Sequence, residues 1–255
     1  MTSHDNKVES QRELLRRAVA VLEKEPEILL LTLEGSLSRG DNDAWSDVDL
    51  ELFCQASCLE SAWNYRATIF HQIGEVLCIA DISDMVPWAC IAFYGHSRLH
   101  LTYRTPEEHK STGKILFDRK TSSEPTHYAT LTIPTSDALS SPRFAFWLNR
   151  AFVGAYRADK MQMAESRLRL LEIWLSMVAR SRLLPFYGLR KASAYLTLDE
   201  MQWCDNYLAN LHSLDLIQLL PELVQEDLKT LRDPVIANID ISGVRFIEMM
   251  LAEIC

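Results

Sequence analysis

Paired cysteines, long apolar runs and a surplus of basic residues are all missing from this sequence. The six cysteines stand at 54, 58, 78, 90, 204 and 255, with no C-x-x-C pair and no histidine placed to complete a zinc tetrahedron. A disulfide framework and a structural zinc site are excluded, and reduced, mostly buried thiols are expected. No apolar stretch approaches bilayer length, and the polar segment 1–13 has no apolar centre of the kind a signal peptide needs, so a cytoplasmic protein without a membrane partner is expected. Lys and Arg number 26 against 35 Asp and Glu, a formal net charge of -9 at pH 7. Nothing in that balance offers the phosphate-neutralising surface that long nucleic acid requires. Fixed-period repeats and low-complexity tracts are absent as well, which excludes a solenoid.

What is present is ample material for a core: 255 residues, 48% of them hydrophobic and 24% charged. Leu14, Leu15, Ala18, Val21 and Leu22 recur at helical spacing and predict an opening helix that runs to Lys24, where Glu25 and Pro26 stop it. Strands are predicted over 28–33 and 48–53, with a polar loop between them. Leu59, Trp63, Phe70 and Ile73 mark an amphipathic helix, followed by strands over 76–82, 89–94 and 99–103 with Gly95, His96 and Ser97 as the tight turn of the last hairpin. A short strand over 115–118 precedes a Thr-, Ser- and Pro-rich stretch between Lys120 and Pro142. Beyond it the spacing is helical: Phe144, Trp147, Leu148 and Ala151, then Leu168, Leu171, Leu175 and Val178 closed by Pro185, then segments over 201–211, 217–231 and 244–254. The expected architecture is an α+β N-terminal domain (1–120), a mixed sheet flanked by helices, then a linker (121–141) and an all-α helical bundle (142–255).

The chemistry is concentrated in Leu33-Glu34-Gly35-Ser36-Leu37-Ser38-Arg39-Gly40 and, after a short polar loop, Asp47-Val48-Asp49-Leu50-Glu51-Leu52. Asp47 and Asp49 are two apart, so strand alternation sets both carboxylates on one sheet face and Val48, Leu50 and Leu52 on the other. Such a pair is a platform for Mg2+, which nucleotidyl transfer needs because the α-phosphate is anionic, the attacking hydroxyl must lose a proton and pyrophosphate leaves with extra charge. Gly35 permits a close turn, letting backbone N–H groups and the Ser36 hydroxyl approach terminal phosphates. Arg39 offers a bidentate phosphate contact, and Gly40 lets the loop turn back.

Gly35-Ser36, Arg39-Gly40 and Asp47-x-Asp49 resemble the signature of DNA polymerase β-like nucleotidyltransferases, closest to the lincosamide and aminoglycoside enzymes. Phe146-Trp147 and the run 156–164 resemble the first helices of their C-terminal domain, and Ile115-Leu116-Phe117-Asp118 the strand that closes their sheet. The resemblance implies a nucleotidyltransferase domain over 1–120 that uses ATP or another NTP with Mg2+ held by Asp47 and Asp49. It implies β- and γ-phosphates on Gly35, Ser36 and Arg39, a small-molecule acceptor such as a lincosamide or aminoglycoside, and a homodimer. The family's third carboxylate is expected on the hairpin that here reads Ser97-Arg98-Leu99-His100-Leu101-Thr102, where Arg98 or His100 stands instead. His100, Glu51, Glu107 and Glu108 are the candidates for the general base, with His100 grouped with the two aspartates as catalytic. Glu34 is a candidate structural partner of Arg39, and Trp147, Tyr156 and Tyr187 are candidate cleft aromatics. The alternatives are a catalytically degenerate regulatory nucleotide-binding protein and an enzyme that transfers AMP to a protein side chain, as antitoxin-like members are thought to do.

Overall fold

The computed structural model describes residues 3–95, 97–108, 113–119, 141–182 and 196–209. The chain divides into two compact units, Met1–Thr135 and Ser136–Cys255. In the first, the element order is α1 (Ser3–Leu22), β1 (Ile28–Leu33), α2 (Gly35–Arg39), β2 (Val48–Cys54), α3 (Leu59–Ile73), β3 (Cys78–Asp81), β4 (Ala89–Tyr94), β5 (Ser97–Arg104), a single 3-10 turn (Pro106–Glu108) and β6 (Lys114–Asp118). The strands form one six-stranded sheet in the order β3-β4-β5-β2-β1-β6. All neighbours are antiparallel except β2 and β5, which run parallel. A parallel neighbour cannot be reached by a tight turn, and the chain gets from β2 to β5 through α3, β3 and β4.

Alternation along β2 and β5 builds two unlike faces. Val48, Leu50 and Leu52 lie beside Leu99, Leu101 and Tyr103, all buried, and α1 (Leu14, Ala18, Leu22) and α3 (Ala62, Trp63, Ile69, Phe70, Ile73) belong to the same core. Burying each aliphatic side chain contributes roughly 1.5–3 kcal/mol. Asp49 and Glu51 alternate with them and stay partly exposed. At the sheet's edge Arg119 ties β6 to the turn before β1, its guanidinium donating to the carbonyls of Glu25 (2.6 Å), Ile28 (3.2 Å) and Glu23.

The described elements of the first unit follow the sequence reading, with differences at their ends. The opening helix stops at Leu22 rather than Lys24, the strand expected over 76–82 shrinks to Cys78–Asp81, and β5 extends to Ser97–Arg104. The segment after β1, expected as open loop, winds into the short helix α2 because Gly40 adopts the left-handed conformation (φ 78°) and its N–H closes onto the Ser36 carbonyl.

The second unit contains α4 (Ser141–Tyr156), α5 (Lys160–Ser181) and α6 (Leu198–Ala209). Asp159 starts α5 by accepting from the N–H groups of Met161 and Gln162 at 3.1 and 2.9 Å. Thr197 and Glu200 cap α6 reciprocally: Glu200 Oε2 accepts from the Thr197 N–H at 2.7 Å and Thr197 Oγ1 from the Glu200 N–H at 3.3 Å. Trp174, Trp203 and Tyr207 join α5 to α6, with ring centroids 4.9 and 5.2 Å apart in succession. Of the linker expected over 121–141, Ser141 belongs to α4; the rest of it, His96, Pro185, Tyr187 and the helices expected over 217–231 and 244–254 lie outside the described residues. Among the described residues no helix is long and apolar enough to cross a membrane.

Candidate functional site

The site forms where β1 ends, on the open face of β2. Asp47 immediately precedes β2 and Asp49 lies within it. The parallel register sets Val48 beside Leu99 and Asp49 beside His100, so the residues flanking the apolar pairs form a second row on β5. Each of the three acids meets a base of that row: Asp47, just before β2, pairs with Arg98, Asp49 Oδ1 lies 3.2 Å from His100 Nδ1, and Glu51 Oε1 lies 3.3 Å from Arg104 Nε. The carboxylates keep contact with solvent, 34%, 29% and 22% exposed from Asp47 to Glu51, whereas Arg98 is only 4% exposed. A buried guanidinium needs partners on every side it presents, and Arg98 also donates to the Trp45 carbonyl. His100 Nε2 is a buried atom without a hydrogen bond, so Nδ1 is the ring nitrogen engaged with the acidic row.

Gly35 brings the end of β1 against this row. Its φ is +62°, and a Cβ there would stand 2.2 Å from Asp49 Oδ2, a position no side-chain carbon can share. Glycine is therefore required twice over, by backbone conformation and by the nearness of the carboxylate. The 41–47 connection is fixed from α1: the buried Gln11 donates through Nε2 to the carbonyls of Asp43 and Ser46, both at 2.9 Å, and accepts from Asn42 Nδ2 at 3.2 Å. Asp43 in turn accepts from the Trp45 N–H at 2.9 Å and the Ser46 hydroxyl at 3.0 Å, a local turn that delivers the chain to Asp47.

The sequence-predicted residues separate into those the structure brings together and those it does not. Gly35, Asp47, Asp49, Glu51 and His100 form one cluster, and Ser36 follows Gly35 in α2. Arg39 lies at the far end of α2, exposed, with Asp41 at 3.2 Å. Its partner is therefore Asp41 and not Glu34, which accepts from the Thr32 hydroxyl at 2.7 Å and packs against Gly113. Glu108 accepts from the Thr105 N–H and hydroxyl at 2.8 and 3.2 Å, a local turn that accounts for its carboxylate. Trp147 is 2% exposed, edge-on to Phe146 in the core of its unit, while Tyr156 is exposed. Arg104 and Gln11 were missed. An acid-base pairing between strands can be read from sequence only once the strand order is known, and Gln11 has no motif at all.

The five described cysteines are free and buried, and burial pushes the Cys54 thiol up to about 12, leaving it protonated at neutral pH. Among the described residues no group of three or more His, Cys, Asp and Glu is arranged to hold a metal ion. Asp47 and Asp49 carry hard oxygen donors of the kind Mg2+ takes, and each already faces a base, Arg98 and His100. No protein-family model matches the chain, and no curated protein sequence matches it.

Proposed function

We propose that the chain is a Mg-dependent nucleotidyltransferase of the DNA polymerase β-like kind, transferring AMP from ATP, or a nucleoside monophosphate from another NTP, to a hydroxyl of a small molecule such as a lincosamide or aminoglycoside. The observation that carries this reading is the convergence of Asp47 and Asp49, on one face beside β2, with Gly35 at the end of β1, whose missing side chain makes room for the Asp49 carboxylate. Asp47 and Asp49 would hold Mg2+, which when bound would supply charge neutralisation for the α-phosphate and the departing pyrophosphate. Ser36 holds the terminal phosphates, and Arg39 joins it only by leaving Asp41, its partner in the structure. His100, joined to Asp49 through Nδ1 with its Nε2 buried, orients that carboxylate, and Glu51, partly exposed in the same row, receives the acceptor's proton. On this reading residues 1–120 are the nucleotidyltransferase domain, and 142–255 an all-α domain that selects the acceptor.

The test is a panel of NTPs against hydroxylated antibiotics, followed by the mass of the acceptor and by pyrophosphate release. One acceptor should gain a nucleotidyl group in the presence of Mg2+, and Asp47→Asn should abolish that gain while the circular dichroism spectrum is unchanged. Wild-type activity in Asp47→Asn would refute the assigned site. A second reading is favoured by the basic residues that face all three acids: a regulatory protein that binds nucleotide without turning it over. Saturable nucleotide binding without pyrophosphate release under any acceptor would select it.

A further inference from the structure

Arg98 is the one cation in the acidic row that is almost wholly buried, at 4% exposure, against 23% for His100 and 28% for Arg104. It cannot swing into solvent as a surface arginine does. Its guanidinium is held by the Asp47 carboxylate on one side and the Trp45 carbonyl on the other. Its strand position is fixed independently, because β5 is paired along its length with both β2 and β4, and Phe93 lies beside it. A permanent positive charge is thus built into the Asp47 end of the row. Counting formal charges with His100 neutral, Asp47, Asp49 and Glu51 bring three negative charges and Arg98 and Arg104 two positive ones, leaving one net negative charge.

We propose that Arg98, as a fixed cation paired with Asp47, limits the acidic row to a single divalent cation. Two divalent ions would bring four positive charges to a row with one net negative charge, and one of them would have to stand beside a guanidinium that cannot leave. A single ion shared by Asp47 and Asp49 meets the smaller repulsion and keeps the Asp47–Arg98 pair intact. The inference rests on the reading of Asp47 and Asp49 as metal ligands made above.

The test is a titration of the full chain with Mn2+ alone, followed by electron paramagnetic resonance, on wild type, Arg98→Lys, Arg98→Met and Asp49→Asn. Wild type is expected to saturate at one ion per chain, and Arg98→Lys, which keeps the charge, at one ion with similar affinity. Arg98→Met is expected to bind at least about tenfold more tightly or to admit a second ion, because a unit charge beside the ion is gone. A merely structural arginine would give the opposite, weaker binding with loss of stability. Two ions on wild type, or unchanged affinity in a folded Arg98→Met, would overturn the role of Arg98 while leaving the metal reading intact. Should Arg98→Met not fold, the wild-type and Arg98→Lys stoichiometries decide. No ion on wild type, or binding that survives Asp49→Asn, would overturn both.

Discussion

The two faces of the β2–β5 strand pair are made from the same consecutive residues and are chemically opposite. One carries Val48, Leu50 and Leu52 beside Leu99, Leu101 and Tyr103, sealed by α1 and α3. The other carries Asp47, Asp49 and Glu51 beside Arg98, His100 and Arg104, open enough to keep its acids partly solvated. The apolar face gains free energy from every atom it removes from water, so it carries stability. The ionic face gains little net free energy, since the Coulomb attraction of each pair is offset by desolvation and by solvent screening. What such a face offers instead is fixed charge at fixed positions.

That contrast can be broken most severely from the apolar side. Leu50 is 2% exposed between the helices and the sheet, and Leu50→Ala should cost about 2–5 kcal/mol in urea unfolding of the intact chain, the range for an aliphatic truncation in a packed core. A loss under about 1 kcal/mol would mean that the face is not the tight core described. Gly35→Ala attacks the ionic face through its geometry: the added carbon meets Asp49 Oδ2 at 2.2 Å in a left-handed backbone. Strain of about 1–3 kcal/mol is expected, and, on the function proposed above, a fall in nucleotidyl transfer on the order of a hundredfold, the penalty for a reacting group displaced by about 1 Å. Retained activity in this variant would separate Gly35 from the site. The mildest change is Arg104→Gln, which removes the partner of Glu51. It should alter unfolding free energy by less than about 1 kcal/mol, and a larger loss would show that the ionic face carries stability after all.

Much of this arrangement is legible in the chain before it folds. The strand boundaries of β1 and β4, the amphipathic α3 and the separation of acids from aliphatics along β2 all follow from local periodicity, because side chains alternate at every residue of a strand whatever its neighbours are. The capping box of α6 is equally local, with Thr197 and Glu200 three residues apart, yet the apolar spacing alone set the start of that helix at 201 rather than Leu198. The helical turn of α2 was less visible, since five residues are too few for a periodic signal and its stop depends on Gly40 taking a left-handed conformation.

The sequence by itself determined which face of β2 would bear Asp47, Asp49 and Glu51, and that a glycine would turn the chain just before them. Only the tertiary structure decided that β5 would lie parallel to β2, setting His100 and Arg104 against acids 51 and 53 positions earlier. It also decided that the Asp49 carboxylate would fill the space where Gly35 has no side chain. Alternation is a property of one strand's covalent geometry, whereas register between strands is selected by the whole core at once, so no local pattern encodes which base each acid will meet.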